Sequence, residues 1–282
     1  MKLIVDSGST KTDWIAIDEN GSIIFETFTL GLNPQVLTEY IIEERIINNY
    51  DLYQNRKKVS KIYFYGAGCG TKPPKDLLSR VLKLIFINSD FDIKEDTYAA
   101  VYSCCKPNEK AIVSILGTGS NCSYFDGKKL NQKVTSLGYV LMDDASGNYF
   151  GRQLLRDYYF NRMSADLENK FKSEFDLEAE VIKDSLYKKP NPNTYLAKFA
   201  KFLVENKNLD YSKQLVRKGF DLFIENQIEQ FENHKNVNLH FVGSIGYYLK
   251  DELKEALDNK NLKLGKVLRR PIEGLVAFHQ SH

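Results

Sequence analysis

Short apolar runs separated by glycine-rich or polar turns dominate the first part of the chain. Runs of this kind predict strands, and they occur at residues 3–5, 14–17, 22–27, 61–65 and 91–93. Asn20-Gly21 supplies the positive φ values of a tight hairpin between the second and third runs. Apolar residues at helical spacing predict helices at 35–49, from 74 to 85 and through 99–102.

The same order of features recurs after residue 110. An apolar run at 111–116 leads into Gly117-Thr118-Gly119-Ser120, and a second run at 121–125 ends in a hairpin turn, Asp126-Gly127. The chain is then mainly helical after Ser146, until a run at 239–242 meets Gly243-Ser244-Ile245-Gly246 and a helix that begins near Tyr247. We therefore expect a duplicated architecture with one turn suited to bind phosphate in each half.

Size and composition fit a globular protein of two domains of ordinary size, or of one large domain. The chain has 282 residues, of which 43% are hydrophobic and 27% charged, and no apolar run is long enough to span a membrane. The N-terminus turns polar at Asp6, which argues against a signal peptide, so a cytoplasmic protein is expected. The net charge of +2 and the scattered basic residues give no reason to expect nucleic acid as a partner, and Arg269-Arg270 receives no role.

The four cysteines do not form a metal-binding or disulfide pattern. They show no CxxC spacing and no accompanying histidine motif, at Cys69, Cys104, Cys105 and Cys122. The sequence therefore predicts neither a zinc site nor a disulfide framework, and a reducing compartment fits best.

The first turn, Asp6-Ser7-Gly8-Ser9-Thr10-Lys11-Thr12, has the residues of a phosphate-binding loop. Its small residues allow backbone N–H groups to approach phosphate oxygens, its threonines offer hydroxyls, and Lys11 offers a charge. Asp6, at the end of a strand, can hold Mg²⁺ through water. The turn is not the Walker pattern, and a turn of this kind alone is more often a simple hairpin. The similar turn at 117–120 favours the phosphate interpretation.

Several polar residues allow both a structural and a chemical interpretation. Asp96, at a helix N-terminus, can cap the helix or accept the proton of a substrate hydroxyl during phosphoryl transfer. Asn33, beside Pro34, can bind a sugar or stabilise its own turn. Asp143-Asp144 can start a helix or bind sugar hydroxyls and metal. The residues alone favour the cap for Asp96 and the turn for Asn33, and they leave both alternatives open for Asp143-Asp144.

The ordered set of motifs resembles the superfamily of sugar kinases, heat-shock ATPases and actin, and within it the N-acetylglucosamine kinase branch of the BadF/BadG/BcrA/BcrD ATPase family. The matching segments span nearly the whole chain: 6–13, 31–34, 96–100, 117–121, 137–139, 143–147, 243–246 and 271–275. This resemblance implies an α/β fold of two ribonuclease-H-like domains, each with a mixed sheet flanked by helices, and an ATP cleft between them. It implies domains at 1–108 and 109–270, with a C-terminal helix at about 271–282 that packs back on the first.

The resemblance also implies roles for individual residues. Asp96 would be the general base. The residues that would hold ATP are Asp6 (through water-bound Mg²⁺), Gly8, Ser9, Thr10, Lys11, Thr12, Gly117, Thr118, Gly243 and Ser244. Those that would contact the sugar are Asn33, Ser120, Asn121, Gly138 and Asp143.

One segment departs from the family pattern, and it bears on substrate choice. A Gly-Asp-Glu-Gly-Ser stretch is replaced by Met142-Asp143-Asp144-Ala145-Ser146, so side chains occupy a turn that glycine leaves open. We expect ATP-dependent phosphorylation of an amino sugar, N-acetylglucosamine first, with glucosamine and N-acetylmuramic acid as alternatives. Two other functions are an ATPase that activates a partner enzyme and a regulator without catalysis. A homodimer is compatible with the sequence, which leaves the oligomeric state open.

Overall fold

A computed structural model describes residues 1–8 and 10–281. The chain divides into two compact units, an N-terminal unit of Met1–Lys106 with Arg270–His282 and a C-terminal unit of Pro107–Arg269. Over the residues described, no helix combines the length and apolar character needed to cross a membrane.

The N-terminal unit is built on a mixed five-stranded sheet. Its strands are β1 (Lys2–Ser7), β2 (Lys11–Ile17), β3 (Ile23–Leu30), β4 (Lys61–Gly66) and β5 (Asp90–Glu95), in the order β3-β2-β1-β4-β5. β1, β2 and β3 pair antiparallel, whereas β4 runs parallel to both β1 and β5. Its helices are α1 (Glu39–Ile47), α2 (Tyr50–Asn55), α3 (Lys72–Ile85), α4 (Asp96–Cys104) and, from the C-terminal end, α13 (Pro271–Ser281).

Alternation along the central strand β1 divides this unit's core into two layers. Leu3 and Val5 pack with Trp14 and with the apolar faces of α1 and α3. Ile4 points to the other face, where it packs with residues of α4 and α13 such as Leu275. The C-terminal helix thus completes one layer of the N-terminal unit.

The C-terminal unit contains a second sheet with the same order and the same strand directions. Its strands are β6 (Ala111–Leu116), β7 (Ser120–Phe125), β8 (Leu130–Asn131), β9 (Asn238–Val242) and β10 (Lys263–Leu268), in the order β10-β9-β6-β7-β8. β6, β7 and β8 pair antiparallel, whereas β9 runs parallel to both β6 and β10. The two sheets confirm the predicted fold class of duplicated mixed sheets flanked by helices.

Helices form the bulk of this second unit. They are α5 (Gly147–Tyr159), α6 (Ala165–Glu174), α7 (Ala179–Tyr187), α8 (Pro192–Ala197), α9 (Ala200–Glu205), α10 (Asp210–Phe223), α11 (Ser244–Tyr248) and α12 (Lys250–Asp258), with a π-helical segment at Ile224–Ile228. Their buried aromatic side chains, among them Phe150, Phe199 and Phe220, share one core with the sheet residues Leu116 and Phe241. This core fixes the start of α5 against the sheet.

The predicted helix at 35–49 is wrong at its start. α1 begins only at Glu39, because Thr38 caps it by accepting the Ile41 N–H on its side chain. The preceding residues form a turn on Asn33, whose side-chain oxygen accepts the Gln35 N–H at 2.9 Å. A local turn therefore replaces the first helical turn that the apolar spacing predicted.

Candidate functional site

The first glycine-containing turn joins β1 to β2 and is stabilised by buried hydroxyl groups. Ser7 Oγ and Thr12 Oγ1 lie 2.8 Å apart and both side chains are fully buried, while Gly8 N–H donates to Lys11 O. Thr12 Oγ1 also donates to Leu30 O. Its hydroxyl therefore supports the turn, and a direct phosphate contact from Thr12 stays a prediction that this geometry does not favour. Ser9, also predicted to bind phosphate, lies outside the described residues.

Lys11, the side chain whose charge is predicted to bind phosphate, lies on the exposed side of the turn. Lys11 is exposed, and its Nζ lies 2.6 Å from Asp13 Oδ1 and 4.8 Å from the centre of the Phe28 ring. Thr10 is exposed beside it, and its carbonyl oxygen accepts the Gly31 N–H. A lysine that spans two neighbours on the strand surface can exchange them for a phosphate group.

Carboxylates gather at the ends of β1 and β5. Asp6 faces Asp13 in the pairing of β1 with β2, and Asp96 is the first residue of α4. Burial raises the pKa of Asp6 to about 8, with the charges of Asp96 and Asp13 acting in the same direction and those of Arg270 and Lys11 opposing them. Acidic groups that repel each other in this way attract a divalent cation, and carboxylate oxygens are ligands that suit Mg²⁺.

Asp96 is not the N-cap of its helix. Glu95 occupies that position, without a side-chain capping bond, and Asp96 lies one residue further on. The pKa of Asp96 is raised to about 6, first by burial and then by the Glu95 carboxylate, and hydrogen bonds from the backbone N–H groups of Thr97 and Asp96 oppose this increase. The cap alternative for Asp96 is therefore wrong, and its carboxyl titrates close to neutral pH, where a general base works best.

Asn33 lies in the same unit, against the loop that follows β4. Gly68 in this loop has φ +78°, and a Cβ placed there would lie 2.1 Å from Asn33 Oδ1. The glycine thus lets the loop approach the asparagine side chain. Because Asn33 Oδ1 accepts the Gln35 N–H, the turn interpretation explains one of the two polar side-chain atoms of Asn33.

The second glycine turn, between β6 and β7, is tied to the N-terminus of α5. Gly147 N–H donates to Gly117 O and Asn148 N–H donates to Thr118 O, at 2.8 and 2.9 Å. Gly243, at the junction of β9 with α11, has φ +122°, and a Cβ there would lie 2.4 Å from Leu116 O. The structure thus brings the predicted phosphate turn beside the predicted adenosine junction at Gly243 and Ser244.

Asp143 lies beside this turn in a left-handed backbone conformation, with φ +67°. Its Oδ2 accepts from Asn148 Nδ2 at 2.9 Å, and its carboxylate also accepts the Ser120 N–H. Burial raises the pKa of Asp143, and these two hydrogen bonds act against that increase. A Cβ on Gly119 would meet Asp143 Oδ2 at 2.7 Å, so this glycine leaves room for the carboxylate.

Three of the four residues predicted to bind sugar in the C-terminal unit lie together, and the fourth lies elsewhere. Ser120, Asn121 and Asp143 line one pocket. Gly138, with φ +83°, instead belongs to the exposed loop after β8, where its carbonyl accepts the N–H groups of Leu141 and Met142. Gly138 does not line this pocket.

Two residues near these sites were missed by sequence reasoning. Arg270 Nη1 lies 3.6 Å from Asp13 Oδ1, and Asn148 binds Asp143. Met142, which the sequence marked as a departure from the family pattern, lines the pocket with Asp143. The dipeptide Arg269-Arg270 was a visible signal, but such pairs are common on solvated surfaces. Nothing local marks Asn148.

The cysteines do not resemble a cluster site. Cys69, Cys104 and Cys122 are buried, and Cys105 is partly buried. Burial raises the pKa values of Cys69 and Cys122 to about 12, so neither is an available thiolate at neutral pH.

Comparisons with known proteins extend these observations. Neither the protein-family models nor the curated proteins give a match. Among solved structures, that of the "Putative N-acetylglucosamine Kinase" of Porphyromonas gingivalis is 32% identical, covers 100% of this chain and 99% of that one, and has a TM-score of 0.92. A structure described in the same words from Chromobacterium violaceum is 14% identical over 98% of both chains, with a TM-score of 0.71.

A third similar structure carries ligands. The ROK-family glucokinase of Streptomyces griseus, in complex with glucose and AMPPNP, is 14% identical, covers 98% of this chain and 97% of that one, and has a TM-score of 0.60. At this identity the likeness shows the fold alone. The fold found in both units here is therefore one on which a nucleotide and a sugar bind in another protein.

Proposed function

Since the chain belongs to the same family as the Porphyromonas gingivalis protein, within the sugar kinase fold, we propose that it transfers the γ-phosphoryl group of ATP to an amino sugar. N-acetylglucosamine is the proposed acceptor and its 6-hydroxyl the proposed site. The narrower placement in the BadF/BadG/BcrA/BcrD family is part of the same proposal.

The observation that carries the proposal is the position and acidity of Asp96. Its carboxyl begins α4, in the unit that holds the first glycine turn, and its pKa is raised to about 6. A carboxylate with this pKa is ionised at neutral pH yet basic enough to accept a proton late in phosphoryl transfer. The raised pKa supports the proposal that Asp96 is this base.

The reaction would proceed by direct transfer. The 6-hydroxyl oxygen of the sugar forms a bond to the γ-phosphorus, the bond from that phosphorus to the β–γ bridging oxygen breaks, and the hydroxyl proton moves to the Asp96 carboxylate. Asp6 would hold Mg²⁺ through water, and the ion would neutralise charge on the phosphates. Gly8, Thr10 and Lys11 would hold the terminal phosphates, with Gly117 and Thr118 from the second turn. Gly243 and Ser244 would border the adenosine.

The residues proposed to contact the sugar are Asn33, Ser120, Asn121, Gly138 and Asp143. Two hydrogen bonds already hold the Asp143 carboxylate in one orientation, which lowers the entropy cost of binding a sugar hydroxyl. The cytoplasm is the proposed compartment and a homodimer is compatible with this function, with no nucleic acid or membrane involved.

No observation favours the alternative of an iron–sulfur activator. That function needs cysteine thiolates available to a cluster, and three of the four cysteines are buried. An iron-free, colourless preparation that phosphorylates sugars would reject it.

A screen of acceptors tests the proposal. ATP consumption is coupled to a spectroscopic readout with N-acetylglucosamine, glucosamine, N-acetylmuramic acid and glucose, and the position of the phosphate on the product is then found by NMR. We expect the highest kcat/KM for N-acetylglucosamine, a 6-phosphate product, and little ATP hydrolysis without sugar. Consumption of ATP that none of these sugars increases would reject the proposal.

A further inference from the structure

One carboxylate in the N-terminal unit is shared by two cations. Asp13 Oδ1 lies 2.6 Å from Lys11 Nζ and 3.6 Å from Arg270 Nη1, so both cations reach the same oxygen atom. The Asp13 side chain is only 16% exposed, whereas those of Lys11 and Arg270 are 46% and 41% exposed. Asp13 is therefore the enclosed member of this group, and its two partners are more accessible to solvent.

The two cations come from distant parts of the chain. Lys11 and Asp13 lie two residues apart on β2, so their side chains project from the same face of the sheet. Arg270 directly precedes α13, which packs on the sheet of the same unit. Its second terminal nitrogen, Nη2, lies 3.2 Å from Glu273 Oε1. The packing of α13 therefore brings the guanidinium to Asp13.

Asp13 also has an acidic neighbour on the adjacent strand. It faces Asp6 in the register of β1 with β2, and like charges directly opposite each other on paired strands are unfavourable. If Lys11 alone neutralised Asp13, movement of Lys11 to a phosphate group would leave an unpaired carboxylate beside Asp6. A second cation on Asp13 reduces the cost of that movement.

We propose that Arg270 is a positioning residue for nucleotide binding, which keeps Asp13 neutralised when Lys11 moves to the terminal phosphates of Mg·ATP. This inference rests on the proposed function, in which Lys11 binds those phosphates. Arg270 acts through Asp13 and Lys11, and it makes no phosphate contact of its own. A guanidinium suits this place because its several N–H donors can hold two carboxylates, here Asp13 and Glu273, at once.

This arrangement couples the effects of two substitutions. Arg270→Gln removes the second cation, so phosphate must then compete with the full attraction between Lys11 and Asp13. A partly exposed ion pair of this kind changes an equilibrium constant by up to about 5-fold. In Asp13→Asn, Lys11 has no carboxylate to leave at this position, so the loss of Arg270 no longer affects the binding of phosphate.

The test measures the Kd of Mg·AMPPNP by isothermal titration calorimetry at low ionic strength. We expect Arg270→Gln to raise Kd about 3-fold to 5-fold, and to change it less than about 2-fold when Asp13→Asn is also present. Arg270→Lys, which retains the charge, should bind nearly as tightly as the unaltered protein. Glu273→Gln is the matched control, since it removes the other ion pair of Arg270 and should leave Kd unchanged.

Separate results identify which claim fails. An equal effect of Arg270→Gln with and without Asp13→Asn would show that the guanidinium contacts phosphate directly, and would overturn the proposed action through Asp13. An unchanged Kd in Arg270→Gln would also overturn it, and the sugar kinase proposal would survive. If the unaltered protein binds Mg·AMPPNP but phosphorylates no sugar, the proposed function alone fails. If it does not bind Mg·AMPPNP, both fail.

A second variant keeps the test valid if the first does not fold. Arg270→Met retains most of the apolar length of the side chain without its charge, and it gives the same comparison with and without Asp13→Asn. Thermal unfolding of each variant shows which of them are folded at the temperature of the titration.

Discussion

Asn148 donates from its side-chain amide to Asp143 Oδ2 at 2.9 Å, and this contact joins the start of α5 to the carboxylate proposed to bind sugar. Asn148 is only 1% exposed, and its amide oxygen has no hydrogen-bond partner among the described residues. A buried amide with one unpaired acceptor costs free energy. The hydrogen bond to Asp143 is therefore a reason for an asparagine at this position.

Replacing this amide should weaken sugar binding more than it slows the chemical step. We expect Asn148→Ala to raise KM for the sugar about 10-fold, the effect of losing a hydrogen bond to a charged group worth about 1.5 kcal/mol, with a smaller change in kcat. Steady-state kinetics with varied sugar at saturating ATP measures both constants. Asn226→Ala, which removes the similar but exposed bond to Asp144, is the control and should leave both constants unchanged. Equal effects of the two variants would contradict the role of Asn148.

The Asp96 carboxylate should be required for turnover. Asp96→Asn keeps the size of the side chain and removes the base, so we expect kcat to fall about 10²-fold to 10⁴-fold. Rapid-quench or coupled assays measure this loss. A variant with near-normal sugar phosphorylation would show that another group accepts the proton.

The same substitution should stabilise the folded protein at neutral pH. The folded-state pKa of Asp96 is raised to about 6 from an ordinary value of 3.8, so folding favours its protonated form. The carboxyl does not lower the free energy of unfolding below pH 3.8. Between pH 3.8 and about 6 it lowers that free energy progressively, because the carboxyl ionises more readily in the unfolded state than in the folded state. We expect Asp96→Asn to be more stable than the unaltered protein by about 1 kcal/mol or more at pH 7.5, and nearly equal at pH 4. Thermal unfolding at both pH values, without ATP or Mg²⁺, measures the difference.

The pH dependence of catalysis should follow the pKa of the same carboxyl. We expect kcat/KM to rise with pH through a midpoint near 6, as Asp96 ionises. Glu95 adds a like charge that raises this pKa, so Glu95→Gln should move the midpoint to lower pH. A midpoint that stays in place or moves upward in Glu95→Gln would contradict the assignment.

Ala145 is under backbone strain that a larger side chain would increase. It is fully buried and has φ +56°, a conformation that costs residues with a Cβ about 1–2 kcal/mol. We expect Ala145→Val to destabilise the protein by more than about 2 kcal/mol, since a β-branched residue fits this conformation worst. Ala145→Gly should change stability by less than about 1 kcal/mol, because relief of strain offsets the lost methyl group and the added chain entropy. Urea unfolding of both variants tests the difference.

Much of the fold could be predicted because its signals are local. The turns after residues 5 and 116 follow short apolar runs, and the runs themselves are strands β1, β2, β6 and β7. Strand β10 was not predicted, since Lys263–Leu268 has little alternation and pairs in parallel with β9, which lies distant in sequence. The predicted start of α1 was wrong because the turn at Asn33, which packs against Gly68, is more stable there than a helical turn.

The site could be predicted only as a set of separate motifs. Family resemblance named Asp143 and Ser120, but not the hydrogen bond from the Ser120 N–H to the carboxylate. Asp143 makes that contact from a left-handed conformation, which aspartate adopts more often than most residues but which the local sequence does not require. The contact of Asn148 with Asp143 depends on the same turn, so the role of Asn148 follows only from the folded structure.

The stoichiometry of the reaction with N-acetylglucosamine distinguishes phosphoryl transfer to a sugar from hydrolysis of ATP. ADP and sugar phosphate are quantified together, with and without the sugar, for the unaltered protein and for Asp96→Asn. We expect ADP to form with sugar in an amount equal to the 6-phosphate, with little ADP formed without sugar, and the rates of formation of both products to fall at least about 10²-fold in Asp96→Asn. ADP formation that is independent of sugar, with no phosphorylated sugar, would contradict the proposed function.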